Sequence, residues 1–467
     1  MTTGDVVIIV ITSVLLILIS VNFEPRYPKP VLKEGFPLQF PRQQGFTTLD
    51  GPVAADIDSD GNLEIVMNIS RKMHVINSDG TNAAGFPVSI DHIMQHSPAV
   101  GDLDGDGSLE IVAQARSANI NETYVYAWHS DGSLVSGFPV TFGGGFYESP
   151  VLYDLDKNGK LEVIMSFNNK VYVIDYDGSV KSGWPVEIGR INNSRPAVGD
   201  INGDGYSDVI VGTYAKDKIT GEESGYLFAI NHLGELLRGF PIPADSGLGF
   251  HRSDPVLADF DGDGVLEIAV TMVNYESPYA SRTVVFDGDG KSVNKWDTGY
   301  SGSRLSIADL DRDGILEILT WSFDSIYVNN INDRKIEGWP AAVNIHWNEY
   351  EGAIGNIYGS NGYELLWGSS ARKHGKSWIW SKSSEGIPLP WSPIRVDGFQ
   401  LSVLLLSDLE RDGLVDIVRV SYTIDPPQTL IHAYEVPGSD YNLNEFPWAM
   451  YGHDRYHTGQ YGFVPSD

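Results

Sequence analysis

Short apolar stretches alternate with polar turns along most of the chain, from about residue 34 to residue 462. A typical unit has an apolar strand, an acidic loop, a β-branched strand, an alternating strand with an Asp-Gly type of turn, and a Gly-Phe-Pro or Gly-Trp-Pro segment. Proline suits an outer edge strand, because its missing N–H breaks no hydrogen bond of the ladder. The pattern therefore predicts repeated four-stranded units.

The acidic loop recurs at a nearly constant interval. It reads Asp-x-Asp-x-Asp-Gly-x-x-Glu with small variations, and a degenerate eighth copy starts at Asn356. Successive copies start 46 to 59 residues apart, a period typical of a four-stranded propeller blade. We therefore expect an all-β fold, a single β-propeller with eight four-stranded blades over residues 34–462, with seven blades as the alternative. The seven well-formed copies start at Asp56, Asp102, Asp154, Asp200, Asp259, Asp309 and Asp408.

The two ends of the repeat array suggest how the ring closes. The first Gly-Phe-Pro, at Gly35, precedes the first acidic loop, whereas the last repeat has its own Phe446-Pro447. Strands from both ends are therefore expected to meet in one blade. Such closure would remove the free edges that an open sheet exposes.

The N-terminal segment differs from the repeats. Residues 6–21 carry no charge, and this length is at the lower limit for a membrane-spanning helix. No basic residue precedes the run and no small-residue cleavage site follows it, so residues 1–23 are predicted to form an uncleaved apolar α-helix, a membrane anchor or an assembly helix. Residues 24–33, with three prolines, are predicted to be an extended spacer, and residues 463–467 a short tail.

The acidic loop has the composition of a calcium site. Acids at positions 1, 3 and 5 direct three carboxylates inward, glycine at position 6 permits the turn, position 7 offers a carbonyl, and the acid at position 9 completes an oxygen shell. Hard oxygen ligands in this number favour Ca²⁺ over transition metals. An EF-hand is excluded, because it needs Glu at position 12, where Met67, Ala113 and Met165 stand. The predicted ligands are Asp56, Asp58, Asp60, Glu64, Asp102, Asp104, Asp106, Glu110, Asp154, Asp156, Asn158, Glu162, Asp200, Asn202, Asp204, Asp208, Asp259, Asp261, Asp263, Glu267, Asp309, Asp311, Asp313, Glu317, Asp408, Glu410, Asp412 and Asp416.

Occupancy is expected to differ between the loops. The copy at Asn356 has Tyr358 and Ser360 where acids are expected, so no ion is predicted there. Asn158 and Asn202 replace an acid in two other loops and should weaken binding. About seven Ca²⁺ ions would relieve much of the repulsion in a chain of net charge −30. This charge also argues against nucleic acid as a partner, and the absence of cysteine excludes disulfides and thiolate sites.

The loop and its strand context resemble the FG-GAP/VCBS repeats of integrin α-type propellers and their prokaryotic relatives, over about residues 34–462. Residues 447–459, which we call the closing segment, look like the end of the prokaryotic members. The resemblance implies a calcium-binding adhesion or recognition module at the cell surface or secreted, and it implies no particular ligand. Basic residues after the apolar run would favour a cytoplasmic domain, but long domains translocate regardless of local charge.

A glycan or protein ligand is expected on the links that join the outer strand of one blade to the inner strand of the next. These links carry aromatic and charged side chains, which suit such ligands. The alternative is that the side chains pack between blades or plug the channel. The predicted ligand residues are Tyr147, His251, Arg252, Tyr300, Arg304, Trp347, Tyr350 and Phe399.

Three functions are compatible with these features. We expect a non-enzymatic, extracellular calcium-binding propeller displayed at the cell surface for recognition or adhesion. The rival is a structural subunit of a pilus-like filament whose N-terminal helices bundle, since the segment after Gly4 faintly resembles the start of a type IV pilin. A carbohydrate-active lyase has less support, because no Gly-x-Ser-x-Gly or P-loop motif occurs.

Overall fold

Four-stranded antiparallel sheets follow one another along the chain. The computed structural model describes residues 6–12, 15–21, 27–41, 50–119, 121–144, 148–189, 194–216, 223–250, 253–274, 280–298, 301–322, 325–332, 334, 336–342, 351–359, 362–371, 376–400 and 402–465. In this part of the chain, eight sheets form eight blades, as the repeats predict. The first strands of most neighbouring blades contact each other, including those of blades 8 and 1, and apolar clusters join blade 3 to blade 4 and blade 6 to blade 7, so the blades form a ring.

Within blades 1 to 7 the strands pair in chain order. Blade 1 has the strands Val53–Ala55, Glu64–Ile69, Lys72–Ile76 and Val88–Ser89; blade 2 has Ala99–Gly101, Glu110–Arg116, Glu122–Trp128 and Val140–Gly143; and blade 3 has Val151–Tyr153, Glu162–Phe167, Lys170–Ile174 and Val186–Glu187. Blade 4 has Ala197–Gly199, Asp208–Gly212, Tyr226–Ile230 and Ile242–Pro243, and blade 5 has Val256–Ala258, Glu267–Asn274, Ala280–Phe286 and Ser292–Asp297. Blade 6 has Ser301–Ala308, Glu317–Ser322, Ser325–Asn330 and Ala341–Ala342, and blade 7 has Ala353–Gly355, Glu364–Ala371, Lys376–Ser383 and Ile394–Asp397. A two-stranded hairpin, Ala215–Lys216 with Glu223–Ser224, extends from blade 4.

Blade 8 combines both ends of the chain. Its first three strands are Leu405–Ser407, Val415–Ile424 and Pro427–Val436, and its outer strand is Leu38–Pro41 from the N-terminal side, with Leu38 opposite Ile431. Val31–Leu32 pairs with the other end of Pro427–Val436, and Phe399–Gln400 pairs with Val415–Ile424. The expected meeting of the two ends is confirmed, and it gives every blade an outer strand.

The core lies between neighbouring blades. The second strands are buried along most or all of their length, and Glu64–Ile69 and Glu162–Phe167 are buried throughout, because each sheet is covered on both faces. One apolar cluster joins Ile65 of blade 1 to Leu405 of blade 8, and another joins Val66 of blade 1 to Ile111 of blade 2. The ring is therefore held by blade-to-blade burial of apolar side chains.

The predicted N-terminal helix is not found. Val6–Thr12 and Leu15–Val21 are two antiparallel strands, with Val6 opposite Val21 and Thr12 opposite Leu15. Valine and isoleucine dominate the run, and their β-branched side chains favour strands over helices. Among the described residues, no helix has the length and apolar character needed to cross a membrane.

The closing segment, residues 447–459, fills the centre of the ring. Its carbonyl oxygens accept hydrogen bonds from the first strands of six blades at 2.8 to 3.0 Å: Trp448 from Ile354, Ala449 from Leu406, Arg455 from Val100, Tyr456 from Leu152, Thr458 from Val198 and Gly459 from Leu257. Trp448, Tyr451, Tyr456 and His457 are buried. A short 3-10 helix, Leu443–Glu445, precedes the segment. The last part of the chain thus closes the channel and ties the blades together from inside.

Candidate metal centres on the acidic loops

Each acidic loop connects the first and second strands of its blade, and its own carboxylates fold it. In the blade 2 loop, Asp102 Oδ2 accepts a hydrogen bond from the Gly107 N–H at 2.9 Å, and Asp106 Oδ1 accepts one from the Ser108 N–H at 2.7 Å. The loop of blade 5 repeats this geometry, with Asp259 Oδ2 3.0 Å from the Gly264 nitrogen. The first acid shapes the loop through both oxygens, because Asp102 Oδ1 also accepts a hydrogen bond from the Gly105 N–H at 2.8 Å. Asp106 shapes the loop through its Oδ1.

The acid at position 9 has a role that the sequence analysis missed. In all eight copies its carboxylate accepts a hydrogen bond from the N–H at position 2, at 2.7 to 3.2 Å. Glu110, Asp208 and Glu317 are typical, with side chains that are almost fully buried. The degenerate copy keeps this bond through Glu364 and Ile357. The sequence did contain a signal for this structural role, because Glu364 is retained in a loop that lacks the other acids.

The carboxylates of several loops converge closely enough to share one ion. One ligand oxygen from each member of a set lies within 4.8 Å of the others, and the sets include three acids of a single loop each. They include Asp56, Asp58 and Glu64; Asp102, Asp104 and Glu110; Asp154, Asp156 and Glu162; and Asp259, Asp261 and Asp263. The structure thus brings together the acids that the repeated motif predicts as ligands.

Several of these oxygens are buried without a hydrogen-bond donor. Asp56 Oδ1, Asp208 Oδ1, Asp309 Oδ1 and Glu317 Oε1 have no hydrogen-bond partner among the described residues. A buried carboxylate oxygen without a partner is costly, and a bound cation would satisfy it. The donors are carboxylate oxygens, which fit Ca²⁺. The acids of these loops would hold the ion, and the ion would supply positive charge to their buried oxygens.

The position 9 acids have raised pKa values, as expected for buried carboxyl groups whose negative charge no cation balances. Burial, and to a lesser extent the neighbouring acids, raise the pKa of Glu64, Asp208 and Glu267 to about 7 and that of Glu317 to about 8. The hydrogen bond from position 2 opposes this shift in each case. An ion would favour the charged form of these carboxylates.

Two of the seven loops contain a lysine ammonium group among their acids. Lys181 Nζ lies 2.7 Å from Asp156 Oδ2, 2.9 Å from Glu162 Oε1 and 2.9 Å from Asp175 Oδ1. Lys33 Nζ lies 2.9 Å from Asp416 Oδ1 and also contacts Glu410. The seven loops are therefore not equivalent, which the repeated motif alone does not indicate.

The structure describes two of the eight predicted ligand residues on the blade-to-blade links. Tyr147, His251, Arg252, Tyr300, Trp347 and Tyr350 lie outside the described residues. The other two point inward: the Phe399 ring contacts that of Tyr422, with centroids 5.2 Å apart, and Arg304 pairs with Asp50 at 2.9 Å. These contacts agree with the alternative that the side chains pack within the propeller, and a ligand contact of Arg304 and Phe399 stays a prediction.

A buried group of charges surrounds the closing segment, and the sequence analysis did not identify it. The guanidinium groups of Arg195 and Arg304 lie 4.7 and 4.6 Å from the Tyr451 ring, and Glu351 Oε1 accepts a hydrogen bond from the Gly452 N–H at 2.8 Å. Burial opposes the charge of Asp50, but Arg304 and His96 outweigh it and lower its pKa. These charges hold the turn of the closing segment in the channel.

A cavity of about 620 Å³ lies beside the closing segment. It has largely apolar walls, with charged side chains from an acidic loop and from the closing segment. Such a concave, mostly apolar site with a few polar groups is typical of ligand pockets. Residues that line it include Arg411, Tyr441, Phe446, Met450, Tyr461 and Phe463.

Comparison with known proteins supports the repeat assignment. A family model described as FG-GAP-like repeat matches residues 102–165, 154–211 and 259–320. Comparison with curated protein sequences gave no match. Solved structures with a similar fold include the V. cholerae biofilm matrix protein Bap1 (14% identity, 86% of this chain and 79% of that chain covered, TM-score 0.42). They also include BBS1N in complex with ARL6DN (11%, 87% and 97%, 0.47) and the Pseudomonas aeruginosa PilY1 C-terminal domain (11%, 80% and 94%, 0.36).

The matched repeats coincide with the blades that carry the acidic loops. Residues 102–165 and 154–211 contain the loops of blades 2, 3 and 4, and residues 259–320 contain those of blades 5 and 6. The chain is an eight-bladed β-propeller that contains FG-GAP-like repeats in blades 2 to 6.

Proposed function

We propose that the protein is a non-enzymatic, calcium-stabilised propeller that serves recognition or adhesion outside the cell. The observation that carries the calcium part of this proposal is the set of buried carboxylate oxygens without donors at Asp56, Asp208, Asp309 and Glu317. Loops of this composition bind Ca²⁺ at the millimolar levels of extracellular fluids. An extracellular location follows from that requirement.

The expected contribution of calcium is large. At a concentration about tenfold above Kd, each ion adds about 1.4 kcal/mol to the free energy of unfolding. The five acidic loops without a lysine would together add roughly 7 kcal/mol, which is comparable to the whole stability of many domains. Calcium would therefore decide whether the ring is stable.

Thermal unfolding of the full chain tests the calcium proposal. The melting temperature is expected to fall by roughly 10 °C when EGTA replaces 2 mM Ca²⁺. Changing Asp261 and Asp263 to Asn should reduce the number of bound ions by one. The matched control is Asp289→Asn, since Asp289 is an exposed acid in a Gly-rich turn outside the acidic loops. A melting temperature that EGTA leaves unchanged would contradict the proposal.

The ligand is proposed to bind in the cavity beside the closing segment. Because the closing segment occupies the channel, a ligand has to bind on the outer surface, and this cavity offers aromatic walls beside Arg411. Aromatic faces next to a cation suit a glycan or a protein side chain.

Binding to a panel of immobilised neutral and acidic glycans tests this site. Arg411→Ala should weaken binding at least tenfold with an unchanged melting temperature in calcium, whereas Val293→Ala, an exposed change on blade 5, should not weaken binding. Release of sugar products from the same glycans would contradict the non-enzymatic assignment. Equal binding by all variants would exclude this cavity.

A further inference from the structure

Lys33 and Lys181 occupy the same structural position in two different blades. Each stands two residues before the glycine of a Gly-Phe-Pro or Gly-Trp-Pro segment. Each main-chain N–H donates to a carbonyl of the third strand of its blade, Lys33 to Ala433 and Lys181 to Val173, both at 2.9 Å. The residues that make this bond in blades 1, 2, 4 and 7 are all apolar: Ala83, Val135, Leu237 and Leu389.

A lysine at this largely buried position has to find negative charge. Only 9% of the Lys33 side chain and 13% of the Lys181 side chain are exposed. Both extend to the acidic loop of their own blade, where Lys181 Nζ lies within 2.9 Å of Asp156 and Glu162. Lys33 Nζ reaches the corresponding positions 3 and 9 of the blade 8 loop, Glu410 and Asp416.

The ammonium group and a calcium ion would use the same oxygens. Positions 3 and 9 are two of the four acidic ligand positions of the motif, and the calcium shell requires them at 2.3 to 2.6 Å. A second cation within that shell would be repelled by the first. The two loops also depart from the common motif, with Asn158 at position 5 in blade 3 and Glu410 at position 3 in blade 8. Lysine and calcium are therefore alternatives in these loops.

We propose that Lys181 and Lys33 are built-in cations that replace calcium in blades 3 and 8. The chain then binds five Ca²⁺ ions rather than seven. This inference rests on the proposed calcium function of the other loops. It also makes blade 8, in which the two ends of the chain meet, independent of calcium.

Counting bound ions tests the proposal. Native mass spectrometry of the full chain in saturating Ca²⁺ is expected to show five ions in the wild type, six in Lys181→Met or Lys33→Met, and seven in the double variant. The matched control is Lys170→Met, because Lys170 pairs with Glu187 on the same blade outside the loop. This control should keep five ions.

Different failures of this experiment have different meanings. Seven ions in the wild type would overturn the lysine proposal and leave the calcium function intact. Five ions in every lysine variant would also overturn it, because the loops of blades 3 and 8 would then fail to bind calcium even after their lysine is removed. No ions in any variant would overturn the proposed calcium function itself.

A second measurement needs no variant and covers the case in which a lysine variant does not fold. Acylation of amines in the wild-type protein, followed by peptide mass spectrometry, should leave Lys33 and Lys181 unmodified at saturating Ca²⁺. Lys295, which is exposed and pairs only at the surface with Asp245, reports the reaction of an accessible lysine. Modification of Lys33 and Lys181 at the rate of Lys295 would show that calcium displaces them, and would overturn the proposal.

Discussion

The acid at position 9 serves two purposes at the level of single residues. Its one oxygen closes the loop on the N–H at position 2, and its other oxygen faces the ion position, as the unpartnered Glu317 Oε1 illustrates. The sequence motif identified this residue as a ligand but not as part of the loop structure. The degenerate copy separates the two roles, because Glu364 keeps the loop bond in the absence of the other acids.

The burial of the acids at position 9 predicts how the stability of the calcium-free protein depends on pH. The folded-state pKa values of Glu64, Asp208 and Glu267, about 7, and of Glu317, about 8, lie above the ordinary values of 4.5 for glutamate and 3.8 for aspartate. The folded state therefore binds more protons, and its stability falls as pH rises from about 5 to about 8. Melting curves in EGTA should show this loss.

Two controls separate this effect from general charge repulsion. Saturating calcium should remove the loss between pH 5 and pH 8, because the ion favours the charged carboxylates. Glu317→Gln should weaken the pH dependence, whereas Glu122→Gln, at an exposed acid, should leave it unchanged. A flat profile in EGTA would contradict the pKa values.

The glycine of the Gly-Phe-Pro segments is explained by contact between blades. Gly137 has a φ of +90°, and a Cβ there would lie 1.9 Å from the carbonyl oxygen of Asp177 in the turn of the next blade. Gly137→Ala is therefore expected to lower the free energy of unfolding by about 2 kcal/mol or more. The control is Gly143→Ala, which meets no atom within 4 Å. Chemical denaturation in calcium measures both, and equal stability of the two variants would refute the contact.

At the level of elements, the pattern of apolar strands predicted the blades well and the N-terminus poorly. Each blade is specified by local signals, namely a loop, a turn and a proline at an edge strand, and these repeat eight times. The run at residues 6–21 has no period that separates helix from strand, and its β-branched content favours the observed hairpin. Lys33 could not be assigned either, since its contact with Asp416 spans 383 residues and leaves no local signal.

The outer strand of blade 8 offers a direct test of ring closure. Pro41 lies opposite Gln428, and the chain has no cysteine, so a Pro41→Cys, Gln428→Cys pair can form only one disulfide. The oxidised pair is expected to gain roughly 2 to 4 kcal/mol over its reduced form, because the disulfide restricts the unfolded chain. Each single cysteine variant is the control and should not respond to oxidant. Failure of the pair to oxidise would contradict the strand pairing.

On the scale of the whole molecule, the closing segment joins blades that are distant along the chain. Trp448 is fully buried in an apolar cluster shared by blades 5, 6 and 7, and its carbonyl binds blade 7. Trp448→Ala is expected to cost about 3 to 5 kcal/mol of unfolding free energy. Leu443→Ala, at an exposed position just before the segment, should cost less than about 0.5 kcal/mol. Similar losses in both variants would mean that the segment does not hold the ring.

The position of the closing segment also determines the order in which this protein is completed. The closing segment follows all the blade strands along the chain, so it is synthesised after the six blades to which it bonds at the centre. The outer strand of blade 8 is made before the other blades and has to wait for its partner strand, almost 390 residues later. Individual blades have time to form during synthesis, but the ring is assembled only after both ends are available. A chain exported in an extended form would thus arrive before it closes, and its acidic loops would meet calcium before the centre is sealed.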